Sequence, residues 1–156
     1  MAIEIERKFL LKNEQWRELV FKSIRYQQGY LNSDANSSVR IRTSDDTAKL
    51  NIKSATIGSQ RAEYEYTIPM DDAQELLATL CHQPLVEKVR HLVKIAEHIW
   101  EIDEFSGDNA GLIVAEIELS HVDEDFIKPD WLGKDVTEEL RYYNNQLCKH
   151  PFKEWQ

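Results

Sequence analysis

The chain has 156 residues, 42% of them hydrophobic and 30% charged, with a formal net charge of -9 at pH 7. That length fits one domain with a real core, read here as a single unit over residues 1–156. The acidic total argues against nonspecific nucleic-acid binding, which needs basic surface, and the longest apolar runs are far too short to span a membrane.

The start, MAIEIERKF, lacks the basic-then-apolar layout of a secretory signal. Cys81 and Cys148 are too few for a disulfide framework and lack metal-ligand spacing, so both are read as reduced thiols of a cytoplasmic protein. The five histidines show no HxH or HExxH spacing, and no GxxxxGK[ST] loop is present, which excludes a P-loop nucleotidase.

Residues 3–10, IEIERKFL, alternate strictly and predict a strand with Ile3, Ile5, Arg7 and Phe9 on one face and Glu4, Glu6 and Lys8 on the other. Asn13 is placed to cap a short helix with a Trp16, Leu19, Val20 stripe. Strands are then expected over 23–31, 39–43 after a turn-rich stretch at 32–38, 48–54 and 61–68. A helix from Asp71 to Leu80 should bury Leu76, Leu77 and Leu80. Strands over 85–95, 98–105 and 112–120 follow, the last two joined by a loop at 106–109, and the tail from Val136 reads as helical. About eight strands joined by short turns predict a mainly β, α+β fold. It is an eight-stranded antiparallel closed β-barrel with a few helices packed outside.

Sorting each strand by parity gathers the charge. Glu4, Glu6 and Lys8 share a face, as do Arg40 and Arg42; Lys49, Asn51 and Lys53; Arg61, Glu63 and Glu65; Lys88 and Arg90; Glu101 and Asp103; and Glu116 and Glu118. A solvated sheet face is the simplest account of any one such strand. The sign-segregated blocks point instead to a common lumen, because like charges two apart on one face repel unless opposite charge sits between them. Clustered carboxylates suit hard divalent cations, and clustered Lys and Arg suit phosphate oxygens. A lumen with both suits a metal-chelated polyphosphate.

The ordered set Glu4-x-Glu6-x-Lys8, VRIR at 39–42, LNIK at 50–53, RAEYEY at 61–66, KVR at 88–90, WEID at 100–103, AEIE at 115–118 and the closing WLGKDVT at 131–137 resembles the CYTH superfamily, the triphosphate tunnel metalloenzymes. The resemblance implies a tunnel that binds triphosphates with Mg2+ or Mn2+. By position it implies Glu4, Glu6, Glu116 and Glu118 as metal carboxylates, with Asp103 and Glu101 as further candidates. It implies Lys8, Arg40, Arg42, Lys53, Lys88 and Arg90 as phosphate contacts, with Arg61 and Lys134 as extras; Glu63 and Glu65 could instead pair with neighbouring cations. Glu6 or Glu118 would orient water as general base, and Lys8 and Arg90 would stabilise the transferred group. The expected activity is metal-dependent hydrolysis of inorganic triphosphate. Alternatives are adenylate cyclase or thiamine triphosphatase activity on a nucleoside or thiamine triphosphate, and a non-catalytic polyphosphate- or nucleotide-binding module. The partner is a small-molecule triphosphate, with no nucleic acid or membrane, and outward apolar residues leave room for a homodimer.

Overall fold

A computed structural model describes residues 3–34 and 36–155. Met1, Ala2 and Gln156, at the ends of the expected domain, and Ala35, in the turn expected at 32–38, lie outside the described residues. The strands are β1 (Ile3–Leu11), β2 (Val20–Ser33), β3 (Ser37–Thr43), β4 (Ala48–Ser54), β5 (Gln60–Thr67), β6 (Val86–Ile95), β7 (His98–Phe105), β8 (Ile113–Glu118) and β9 (Leu132–Asp135). The α-helices are α1 (Met70–Thr79) and α2 (Asn144–Leu147). Among the described residues no helix is long and apolar enough to cross a membrane.

Every pairing is antiparallel, in the order β5-β4-β3-β2-β6-β7-β8-β1, and β1 returns to β5 to close a ring of eight. This is the expected tunnel. The closure is divided along β1. One edge runs beside β8 from Glu6 to Leu10. The other pairs with β5 at Ile3–Ile5 and with the short β9 at Phe9 and Leu11. Gly133 allows β9 to lie this close, since a Cβ there would stand 2.9 Å from the Leu10 carbonyl oxygen.

Because side chains alternate across a strand, the ring sorts residues into a lumen and an outer skin. The main core lies on the skin. Ile5 and Phe9 of β1, Trp100 and Ile102 of β7 and Ala115 and Ile117 of β8 pack beneath Trp16, Leu119 and Trp131. Trp100 meets Phe9, Phe126 and Trp131 edge to face, with ring centroids 5.6–5.8 Å apart. A second cluster sets Ile41 and Ala48 under Ala73 and Leu77 of α1 and Cys81. The third cluster closes one end of the lumen: Val86, Phe105 and Val114 are capped by Val136, Tyr142, Leu147 and Cys148. Both cysteines are free and buried.

Several expected helices are shorter than the pattern predicts. Asn13 does accept a hydrogen bond from the Gln15 amide at 2.9 Å, but only a 3-10 turn, Gln15–Leu19, follows. Val20 already belongs to β2, whose two-residue period takes over there. Trp16 is fully buried as expected, whereas Leu19 is exposed. Helix α1 ends at Thr79, so Leu80 points to solvent and only Ala73 and Leu77 are fully buried. The tail breaks into a 3-10 turn, Leu140–Tyr142, and α2, because Tyr143 is extended and its hydroxyl donates to the Thr137 carbonyl at 2.8 Å. The apolar skin is therefore covered by turns and loops as much as by helices, and Ile52, Tyr64 and Tyr66 on β4 and β5 remain partly uncovered.

Replacing Trp100 by Ala should destabilise the fold by about 3–5 kcal/mol, the usual cost of deleting a buried Trp. Chemical denaturation would show it. The lumen lies on the other side of β7, so phosphate binding by the folded fraction should be unchanged.

Candidate active site

The lumen holds a cavity of about 240 Å3 whose walls are mostly charged and otherwise polar. Strand register decides which charges meet. Arg61 of β5 stands opposite Glu4 of β1, and Lys53 of β4 opposite Glu63 of β5. Lys8 stands opposite Glu116, and Glu6 opposite Glu118, across the β1–β8 pair. Glu101 faces Glu116 across β7–β8. The apolar plug, with Tyr30, Tyr143 and Asn144, forms the floor; Glu63, Glu65, Glu101 and Glu118 lie toward the more open mouth.

The floor is organised by Asp103. Its carboxylate is fully buried and accepts from Lys88 Nζ at 2.7 Å and from Arg90 Nε and Nη2 at 2.8 and 3.0 Å. Burial opposes its charge, but Arg90 and Lys88 outweigh that and hold its pKa below the usual carboxylate range. Burial brings Lys88 down to about 8, against the pull of Asp103. Asp103 does not line the cavity, and both its oxygens are taken. This corrects the expectation of Asp103 as a metal ligand: it aims two cations instead. Glu101 does line the cavity, and accepts from Arg90 Nη1 at 3.0 Å.

On the opposite wall Glu4 is gripped by Arg61 Nε at 2.9 Å and Lys53 Nζ at 3.3 Å. Burial alone would raise its pKa; Lys53 and Arg61 bring it down to about 2. Glu116 lies between Lys8 (3.4 Å) and Arg90 (3.6 Å), which with Lys88 keep it ionised despite burial. Glu6 differs. Burial, Glu116 and Glu4 push it up to about 8, and its one ion pair, with Arg61, is 3.6 Å long. Glu118 opposite is also raised, by burial and then by Glu4, Glu101 and Glu63. Like charges directly across a strand pair are destabilising, so this spot lacks positive charge.

That deficit tests whether a divalent cation fits. The donors are all carboxylate oxygens, as Mg2+ or Mn2+ prefer, and two of them are short of counter-charge. Among the described residues no three His, Cys, Asp or Glu side chains converge into a ready-made cage. Arg61 and Lys53 lie against Glu4, which accounts for this. A phosphate chain drawing those cations away would leave the carboxylates free for metal.

The expected cations fall into two groups. Lys8, Arg40, Arg42, Lys53, Arg61, Lys88 and Arg90 all line the cavity. Arg40 is buried and its Nε has no hydrogen-bond partner. Arg42 is lowered to about 10 by burial and the nearby Arg40 and Arg90. Both features favour an arriving anion. Lys134 is not brought to the cavity: on β9 it is 68% exposed and pairs with Glu139 at 3.0 Å. The short β9 pairs with the edge of β1 across a register shift between Phe9 and Leu11, so simple parity does not place Lys134 in the lumen.

Glu63 and Glu65 pair with Lys53 and Arg42 at 3.2 and 3.9 Å, and Asn51 donates to Glu65 at 2.8 Å. Uncharged residues support the lining cations. Tyr26 of β2 lies over Arg42, its ring centroid 4.3 Å from the guanidinium carbon, and 5.5 Å from that of Arg90. Asn144 accepts from Lys88 at 3.0 Å and Gln28 at 3.1 Å. The inward parity of Tyr26, Gln28 and Tyr30 on β2 is their only signal in the sequence.

Residues 2–150 match the family described as the CYTH domain. The chain is 43% identical over 153 residues to an inorganic triphosphatase of Acetivibrio thermocellus, covering 98% of this chain and 97% of the relative. It is 34% identical over 149 residues to an inorganic triphosphatase of Nitrosomonas europaea, covering 93% and 96%. The crystal structure of an inorganic triphosphatase superposes with a TM-score of 0.67 at 32% identity, over 95% of each chain. The chain belongs to the CYTH domain family.

Proposed function

We propose that this protein hydrolyses inorganic triphosphate with Mg2+ or Mn2+ held by Glu4, Glu6, Glu116 and Glu118. The observation that carries this reading is the cavity itself: cations and carboxylates share one closed lumen, and among the described residues its aromatic lining is limited to Tyr30 and Tyr143. Such walls recognise a phosphate chain and offer little to a nucleoside. The triphosphatase relatives, aligned over nearly the full chain, support the same substrate.

In this reading Arg40, Arg42, Lys53, Arg61, Lys88 and Arg90 hold the phosphate oxygens, the arginines two at a time. A bound divalent cation would supply Lewis-acid stabilisation of the charge on the phosphates. Glu6, with its raised proton affinity, or Glu118 opposite it takes the proton of the attacking water at a carboxylate oxygen. The water oxygen bonds to a terminal phosphorus, the anhydride P–O bond breaks, and pyrophosphate leaves with its new charge facing Lys8, Lys88 and Arg90. The protein works as one unit over residues 1–156 in the cytoplasm, on a small molecule, without nucleic acid or membrane; the uncovered β4–β5 skin is where a homodimer would form.

Purified protein given tripolyphosphate with Mg2+ or Mn2+ should release phosphate, and EDTA should stop it. ATP should yield no cyclic AMP. Triphosphate binding without phosphate release would establish a binding module instead. Glu6→Gln and Glu118→Gln should each lower kcat, the general base by about 10^2–10^4-fold. Glu116→Ala should abolish turnover, and full activity in that variant would refute the metal assignment.

A pH effect follows in metal-free protein. Glu6 is raised from 4.5 to about 8 in the folded state. The folded state therefore holds this proton more tightly than the unfolded chain, and its contribution is complete below the unfolded value and lost as pH rises through about 8. Melting curves in EDTA should fall across that window, and Glu6→Gln should flatten the fall. Added Mn2+ should stabilise the wild type most at the alkaline end.

A further inference from the structure

The ring wall has a seam. On the edge of β1 away from β8, β5 pairs only as far as Ile5 and β9 begins only at Phe9. Between them the wall is held by two backbone hydrogen bonds, Glu6 N–H to Ser59 O at 3.0 Å and Val136 N–H to Lys8 O at 2.8 Å. A small cavity of about 10 Å3 lies in this gap. It shares Glu6, Lys8, Arg61 and Tyr143 with the lumen, and Thr56, Ser59 and Thr137 form its outer side. Ser59 and Thr137 in turn border an open outer hollow of about 470 Å3 that also reaches Arg7 and Gly58. Lumen, gap and hollow thus lie in series, each sharing lining residues with the next.

The volume of the gap is about that of one water, and its lining offers the several polar partners that an ordered water needs. It meets the lumen at Glu6, Lys8 and Arg61, beside Tyr143 of the floor. The mouth lies at the other end. The rim of the gap is hydrogen-bonded: Thr137 Oγ1 accepts from Lys8 N–H at 2.9 Å and donates to Asp135 at 2.6 Å, and Asp135 pairs with Arg7.

We propose that the β5–β9 seam is a second, water-wide opening of the tunnel, which admits the attacking water and lets its proton out while triphosphate fills the mouth. The proposal rests on the hydrolytic reading above. Each turnover consumes one water and frees a proton from Glu6, and a chain of phosphates bound in the lumen obstructs the way to both. Glu6 borders both spaces, so water can reach it through the wall, and the proton can pass outward by the hydroxyls of Thr56 and Ser59. Phosphate is far too large for this gap and leaves by the mouth.

The test is to narrow the gap from its outer side. Ser59→Leu and Thr56→Leu should each lower kcat on tripolyphosphate about tenfold or more while KM stays within about twofold. Stabilisation by Mn2+ should match the wild type in both. Ile57→Leu, on the same turn but 83% exposed, should leave kcat unchanged. If one bulky variant fails to fold, the other decides. Bulky variants with wild-type kcat would overturn the passage, and so would a fall in kcat matched by loss of Mn2+ stabilisation, which marks a distorted site. A wild-type protein inactive on every triphosphate would overturn the hydrolytic reading itself.

Discussion

Asp103 shows the constraint under which the whole lumen is built. A charge taken out of water is tolerated only beside its opposite, and removing one partner of such a set costs several kcal/mol. Here one carboxylate serves two cations, so Lys88 and Arg90 carry net positive charge into the cavity while remaining fixed. The same holds across the lumen, where Glu4 serves Arg61 and Lys53. Neither wall would be stable alone. The ring must close so that each strand's charges find partners on strands far away in sequence, as Lys53 finds Glu4 and Lys8 finds Glu116.

This mutual dependence also suits the site to its proposed ligands. Arg61 and Lys53 are engaged with carboxylates in the ligand-free protein, and the same groups are what phosphate oxygens would take. A phosphate chain and a metal together would exchange one set of partners for another at nearly constant charge. Either one alone would leave the lumen unbalanced: phosphate without metal crowds Glu6 and Glu118 with more negative charge, and metal without phosphate competes with Arg61 for Glu4. Binding of the two should therefore be cooperative on electrostatic grounds alone.

The lumen was legible in the sequence because a period of two is the least ambiguous pattern a chain can carry. The parity of Glu4, Glu6 and Lys8, or of Lys88 and Arg90, places them on one face whatever the register. Which charges meet was not legible, because that depends on register between strands. Asp103 has the same parity as Glu101, yet one lies behind the cations and the other lines the cavity. Lys134 fell outside because β9 pairs with the edge of β1 beyond the ring of eight, across a register shift. The helices were read less well. Near Trp16 and in the tail the apolar pattern was right, but tertiary bonds from Tyr143 and the early start of β2 cut the helices short.

The broken tail is part of the site for a physical reason. A continuous helix after Val136 could have covered the end of the tunnel with apolar side chains, but Lys8 and Lys88 would then have faced an unbroken hydrophobic floor. The extended residue at Tyr143 turns a ring face to Lys8 Nζ, 4.6 Å from its centroid, and brings the Tyr142 carbonyl to 3.5 Å from it. One residue on, Asn144 offers its side-chain oxygen to Lys88. These are neutral acceptors: they satisfy part of each ammonium without cancelling its charge. A carboxylate in either place would neutralise the floor and forfeit its attraction for phosphate, and an apolar residue would leave a buried lysine poorly solvated. The same short segment thus stoppers the tunnel and keeps its deepest cations charged.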